Sequence, residues 1–158
     1  MVTLTAWRAL RDVDTGAAVP LELLDLLRRV PIFAELPQAT LERIASRVAP
    51  EIYDAGAVIF RQGDPGERFY IVESGTIEID VDGQSVGVFG PGTSFGEIGL
   101  LRNVPRTATA VTRTPVRLAA VDGPAFVEAV TGHRPSAQAA EHVVAARLRF
   151  RAPGGALA

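Results

Sequence analysis

The 158-residue chain contains no cysteine, two histidines, one methionine and one tryptophan, and its basic residues are all arginine because lysine is absent. Without cysteine there is no disulfide and no thiolate metal site, a composition that suits a reducing compartment. Without lysine there is no phosphate-loop lysine behind any of the glycine-rich turns. The arginine-for-lysine usage reads as a bias of composition rather than as chemistry. Both histidines, His133 and His142, fall in the last quarter of the chain. Metal-dependent β-barrel enzymes need several histidines and a carboxylate facing inward, and a phosphodiesterase needs comparable metal ligands, so both readings lose their ligands here. No serine lies in a nucleophile-elbow context with a histidine base. The residues therefore argue against an enzyme and call for no cofactor. Sixteen basic against eighteen acidic residues leave a formal net charge of −2, which gives no general attraction to nucleic acid or anionic lipid. No apolar run reaches the roughly 18 to 20 residues of a membrane helix, and no basic region followed by an apolar run opens the chain. The expectation is a soluble cytoplasmic protein, or one on the cytoplasmic face of the membrane if it is part of a larger membrane protein.

Hydrophobic residues make up 47% of the chain, enough for one core that buries roughly two thirds of the unfolded surface. Leu4 to Val13 can form a short helix ended by Thr15 and Gly16. Pro20 suits a first helical position, and Leu21, Leu24, Leu27 and Val30 follow with helical spacing. Pro31 stops that helix, Ile32 and Phe33 form an apolar turn, and Pro37 begins a second helix carrying Leu41, Ile44, Ala45 and Val48. From Pro50 the period changes to short β-rich runs broken by turn residues every roughly 8 to 12 positions. The runs are Val58 to Arg61, Arg68 to Val72, Thr76 to Val81 and Ser85 to Phe89, with Asp82 and Gly83 as a two-residue primed turn. Ile77, Ile79 and Val81 alternate with polar neighbours, so one face is apolar. Thr107 to Thr112 and Val116 to Val121 read as a last pair of strands turning at Thr114 and Pro115. The pattern predicts a mainly β fold, an antiparallel jelly-roll β-barrel of about eight strands with helices at both ends. Pro124 starts a helix over Ala125 to Val130, Gly132 and Pro135 interrupt it, and a second segment runs from Ser136 to Phe150. Ala152 to Ala158 read as a mobile tail. Gly63, Gly66, Gly75, Gly83 and Gly92 are expected to serve turns through positive φ, and Phe69, Tyr70 and Phe89 to be core.

The stretch Ser94 to Thr109, SFGEIGLLRNVPRTAT, carries the candidate chemistry. Glu97 opens a short helical pattern after Phe95 and Gly96, and Pro105 closes the loop just before Arg106. Backbone N–H groups at such a helix start favour an anion, and the Arg106 guanidinium offers a planar fork suited to phosphate oxygens. Beside an anion, Glu97 is suited to accept hydrogen bonds from hydroxyls. The ligand class is thus a nucleotide or sugar phosphate. An arginine charge left unpaired in a low-dielectric site costs several kcal/mol, so Arg106 is expected to pair with Glu97 when no ligand is bound.

These residues resemble the cyclic nucleotide-binding domains of the catabolite activator protein, the cyclic-AMP-dependent kinase regulatory subunits and the cyclic-nucleotide-gated channels. Their phosphate-binding cassette reads approximately FGE, two small or apolar residues, a leucine, a loop, and R(T/S/A)A(T/S). This chain supplies Phe95, Gly96, Glu97, Ile98, Gly99, Leu100 and Leu101, then Arg106, Thr107, Ala108 and Thr109. The resemblance implies ligand-binding roles for Phe95, Gly96, Glu97, Ile98, Gly99, Arg106, Thr107 and Ala108, with Glu97 on the ribose 2′-hydroxyl and Arg106 on the cyclic phosphate. It implies cAMP, or cGMP, as the ligand. Thr107 does not settle the base.

On this reading residues 1–19 are an N-terminal extension and 20–150 the cyclic nucleotide-binding domain. Within it, 20–49 form the N-terminal helices, 50–121 the β-roll and 122–150 the C-terminal helices, and 151–158 are the tail. The terminal helix is expected to act as a lid over the base and to signal binding by moving, with Val143, Val144, Arg147 and Leu148 as candidate capping residues. Most of the chain after Val19 also looks like the C-terminal sensor attached to some bacterial membrane transporters and other multidomain proteins. An effector such as a transporter, fused or separate, and a homodimer are the partners this implies. Catabolite-activator-type regulators add a DNA-binding module that this sequence does not carry, so no nucleic-acid contact is expected from it. The competing reading is a fragment of a transcription regulator or transporter sensor whose β-roll is a protein-interaction module without nucleotide binding.

Overall fold

The structure, a computed structural model, describes residues 20–151. The readings made for Leu4 to Val13, for the N-terminal extension and for the Ala152 to Ala158 tail lie outside the described residues. Helix α1, Leu21–Arg28, starts one residue later than the sequence pattern suggests, with Pro20 as its N-cap rather than its first helical residue. Leu24 and Leu27 are its buried face, and Val30, Ile32, Phe33 and Leu36 continue that apolar contact through the turn that follows. Helix α2, Gln38–Ser46, buries Leu41, Ile44 and Ala45. Val48, expected as its last core position, instead begins a strand and pairs with Val121. Its apolar side chain satisfies either period, and the ladder with the C-terminal strand decides between them.

The strands are β1 (Val48–Tyr53), β2 (Val58–Phe60), β3 (Arg68–Ser74), β4 (Ile77–Val81), β5 (Gln84–Phe89), β6 (Ser94–Phe95), β7 (Thr109–Thr112) and β8 (Val116–Asp122). They form two four-stranded antiparallel sheets, ordered β1-β8-β3-β6 and β2-β7-β4-β5, a jelly-roll arrangement rather than a closed barrel. The expected β7–β8 pair does not form: β7 joins β2 and β4, and β8 joins β1 and β3. The Thr114–Pro115 turn therefore carries the chain from one sheet to the other. Gly75 accommodates that crossing, because a Cβ there would stand 2.2 Å from the Pro115 carbonyl oxygen. Asp82 and Gly83 both have positive φ and close the β4–β5 hairpin as expected of a primed turn.

Strands β3 and β8 are buried on both faces, which explains their unbroken apolar runs. Tyr70, Val72, Leu118 and Ala120 face the space between the sheets, where they meet Ile77, Ile79 and Ala110. Phe69, Ile71, Ala119 and Val121 point the other way and meet the helices. Helix α4, Gly123–Thr131, starts at Asp122, whose carboxylate accepts from the Ala125 N–H at 3.1 Å, with Pro124 in its first turn. Its Phe126 ring stacks on Phe69 at 4.4 Å, and Phe33 packs edge-on against both at 5.5 and 5.7 Å. Helix α5, Arg134–Arg151, contains Pro135 in its first turn, so this proline opens the terminal helix rather than interrupting one. The three-ring contact joins N-terminal helices, sheet and C-terminal helices. Phe126→Ala is expected to lower stability by about 3–5 kcal/mol, measured by urea unfolding, whereas Val88→Ser on the exposed face should stay within about 0.5 kcal/mol.

Candidate functional site

Between β6 and β7 the chain turns through helix α3, Glu97–Leu101. Phe95 and Ile98 are buried and fasten the two ends of the turn, while Gly96 bridges them in the left-handed conformation at φ 97°. A Cβ on Gly96 would stand 2.9 Å from Arg106 Nη1 and 3.0 Å from the Arg68 carbonyl oxygen. Both backbone angle and close approach thus demand glycine. Against this turn lies a cavity of ≈ 290 Å³. Phe95, Gly96, Glu97, Ile98 and Gly99 line one part of it, and Arg106, Thr107 and Ala108 another, so the eight residues singled out in the sequence share one cavity. The remaining wall is Phe60, Ile79, Val86, Phe89 and Arg147.

Arg106 is 4% exposed, and its guanidinium is held by neutral groups. Nη1 donates to the Gly96 carbonyl at 3.0 Å and Nη2 to the Arg68 carbonyl at 2.7 Å. The Phe60 ring lies 4.2 Å below Cζ, and Phe60, Tyr70 and Phe95 pack together as a floor of three rings. Its backbone is pinned as well: Arg106 N–H donates to the Asp64 carbonyl at 2.7 Å, and Gly63 N–H donates to the Arg106 carbonyl at 2.8 Å. Gly66, expected as a positive-φ turn residue, lacks positive φ; its place is against the guanidinium, where a Cβ would lie 3.4 Å from Cζ. Burial lowers the Arg106 pKa from its ordinary value, and Tyr70, Glu97, Glu67 and Asp64 only partly offset that. Among the described residues no carboxylate forms an ion pair with Arg106. Nε is its one unsatisfied atom, buried without a hydrogen-bond partner.

The expected Arg106–Glu97 pair is therefore corrected. The Glu97 carboxylate, 2% exposed, is bound through Oε1 by Arg147 Nη1 of α5. Arg147 also donates through Nη2 to the Ser94 carbonyl at 2.6 Å and stands over the Phe89 ring at 5.0 Å. A second link ties the same elements, a two-bond contact of Arg102 with Glu141 at 2.9 and 2.8 Å. Glu97 has thus taken its cation from the terminal helix, fifty residues on, which leaves Arg106 to the carbonyls. Of the four candidate capping residues, Arg147 alone lines the cavity. Val144 is fully buried, Val143 packs on the helical core, and Leu148 is exposed. Phe89, expected in the core, is half-buried and forms part of the cavity wall. Phe60 and Ile79 were missed as wall residues, although the alternation of β4 is the signal that turns Ile79 inward; the unbroken apolar run of β2, whose register shifts between Val58 and Phe60, gives no such signal for Phe60. No group of histidine and carboxylate residues among the described residues can hold a metal. Gly96→Ala is expected to cost about 1–3 kcal/mol through the left-handed backbone alone and to push the guanidinium out of place. Urea unfolding reports the first effect and a crystal structure of the variant the second.

A model of the cyclic nucleotide-binding domain matches residues 50–133, more than half of the chain. The chain is 37% identical over 102 residues to the cAMP-dependent protein kinase regulatory subunit of Schizosaccharomyces pombe, covering 64% of this chain and 25% of that protein. It is 40% identical over 95 residues to the same subunit of Yarrowia lipolytica, covering 60% and 25%. It thus spans about a quarter of the length of these curated relatives. Among solved structures it is similar to the sensor domain of the transcriptional regulator DNR from Pseudomonas aeruginosa. That match has a TM-score of 0.69 and 27% identity, covering 80% of this chain and 89% of the other. The regulatory domain of Toxoplasma gondii PKA, co-crystallised with cAMP, matches with a TM-score of 0.67 and 29% identity over 81% of this chain and 49% of that one. The two facing sheets, the β6–α3–β7 turn and these matches agree: the chain belongs to the cyclic nucleotide-binding domain family.

Proposed function

We propose that the cavity binds a cyclic mononucleotide, cAMP ahead of cGMP, and that the domain is a regulatory sensor rather than an enzyme. The observation that carries this is the Arg106 guanidinium, buried against the cavity and, among the described residues, with its Nε unpartnered and no carboxylate paired to it. A cyclic phosphate carries one negative charge and exocyclic oxygens able to accept from that edge. Glu97 sits across the same cavity and accepts the ribose 2′-hydroxyl. The remaining residues of the turn, Phe95, Gly96, Ile98, Gly99, Thr107 and Ala108, shape the cradle. Relatives named as cAMP-dependent kinase regulatory subunits, and a related domain crystallised with cAMP, support adenine as the base.

Helix α5 is the output. It already holds the ribose-binding carboxylate through Arg147, so a hydroxyl arriving at Glu97 changes the environment of that contact directly. The ligand shifts α5 only by the difference in its affinity for the two helix positions. A fused or separate effector in the cytoplasm reads that shift.

Calorimetric titration tests the reading. Wild-type protein should bind cAMP and should bind linear 5′-AMP more weakly. Arg106→Leu should weaken cAMP by at least about 100-fold, the equivalent of two charge-assisted hydrogen bonds at their lower bound of ~1.5 kcal/mol each. Glu97→Gln should cost about 1.5–3 kcal/mol with cAMP and much less with 2′-deoxy-cAMP. Undiminished binding by Arg106→Leu, or equal losses for the two ligands in Glu97→Gln, would refute these assignments.

A further inference from the structure

Among the described residues three ionisable side chains line the cavity, Glu97, Arg106 and Arg147, so it carries one positive charge in excess. Glu97, 2% exposed, and Arg147 neutralise each other in their ion pair. The excess charge is therefore the Arg106 guanidinium, held by the Gly96 and Arg68 carbonyls. The guanidinium of Arg68 does not add to it, because it pairs with Glu51 at 2.5 Å. Tyr70, beside Arg106, stays neutral, since burial pushes its pKa up to about 12. Glu97, Glu67 and Asp64 all act on Arg106 through space. A second negative charge brought to Arg106 thus meets three carboxylates and no further uncommitted cation of the cavity lining.

We infer that the site selects its ligand by charge, favouring a monoanionic phosphodiester over a dianionic phosphate monoester, and that Glu97 enforces the selection by neutralising Arg147. This rests on the cyclic-nucleotide reading above. A phosphodiester carries one negative charge and balances Arg106 one to one. A phosphate monoester carries close to two at pH 8, because its second pKa is about 6. The second charge stays unbalanced in a low-dielectric site that also holds the Glu97 carboxylate, which costs far more than it would in water. An uncompensated charge imposed on the wrong ligand is a direct source of specificity. Glu97 then has a second task besides the ribose hydroxyl: its carboxylate cancels Arg147, the one group in the cavity lining that could otherwise balance the second charge of a monoester. Ring closure of a cyclic nucleotide matters here because it removes a charge as well as because it sets a shape.

The test is calorimetric titration of the whole chain at pH 8 with cAMP, 5′-AMP and the methyl ester of 5′-AMP, a linear phosphodiester with a single charge. Thermal unfolding checks the wild type and each variant. The two linear ligands share base and ribose, so the ribose hydroxyl and the open ring cancel in the ratio of their affinities. The wild type should bind the ester at least about tenfold more tightly than 5′-AMP. Glu97→Gln leaves Arg147 unneutralised and should narrow that ratio at least about threefold, whereas Arg147→Gln leaves Glu97 unbalanced and should widen it. An ester bound less than tenfold more tightly, or no binding of either linear ligand, overturns selection by charge, while binding of cAMP leaves the cyclic-nucleotide reading intact. A ratio that does not narrow in Glu97→Gln or does not widen in Arg147→Gln overturns the role of Glu97, and either variant decides the point if the other does not fold. Failure of the wild type to bind cAMP overturns that reading and this inference with it.

Discussion

Arg106 is held in a low-dielectric pocket by two main-chain carbonyls and an aromatic ring, with its charge only partly offset by the acidic groups around it. Taking a guanidinium out of water without an anion costs several kcal/mol, and neutral carbonyls return only part of that. The surrounding structure sustains this cost by restricting the side chain from every direction. Gly96 and Gly66 remove the Cβ atoms that would meet it, while the Asp64 and Gly63 main-chain bonds hold its backbone. On the proposed function, an anion would bind here with little reorganisation, because the donor is already placed and already dehydrated.

The fold exists around that constraint. The carbonyl of Arg68 and the rings of Tyr70 and Phe60 belong to strands of both sheets, so Arg106 sits where the sheets meet. Their relative position is set by β3 and β8, each packed on two sides, and by the Phe33–Phe69–Phe126 cluster behind them. The helices at both ends of the described chain thereby act on the site indirectly, by fixing the sheet that carries it.

Much of this was legible in the residues. The Ser94 to Thr109 stretch contains its own glycine, carboxylate and arginine, and all eight of its designated residues meet in one cavity because local turn geometry brings them there. Six of the eight strands were legible as runs, since period two and turn residues are local signals, whereas β1 and the two-residue β6 were not read as strands. What failed was pairing. Thr107 to Thr112 and Val116 to Val121 look like a hairpin, yet Thr114–Pro115 spans two sheets, and proximity in sequence says nothing about which sheet a strand joins. The partner of Glu97 was misassigned for the same reason. Arg106 is nine residues away and Arg147 fifty, and no pattern in the intervening chain reveals that α5 returns across α3. Val86 was hidden as a wall residue because the β4–β5 pairing is bulged there, and a bulge is a mismatch between two strands with no signature in one.

The crossed contacts Glu97–Arg147 and Arg102–Glu141 hold α5 against the β6–α3–β7 turn, which makes the terminal helix part of the cavity wall through Arg147. The central claim nevertheless rests on Arg106. Its side-chain Nε–H resonance in a ¹⁵N–¹H spectrum, assigned by its disappearance in Arg106→Leu, reports on the one donor left without a partner. Saturating cAMP should move that resonance downfield and slow its exchange with water, as a charge-assisted bond to a phosphate oxygen requires. An Nε–H resonance unchanged at saturation would contradict the account.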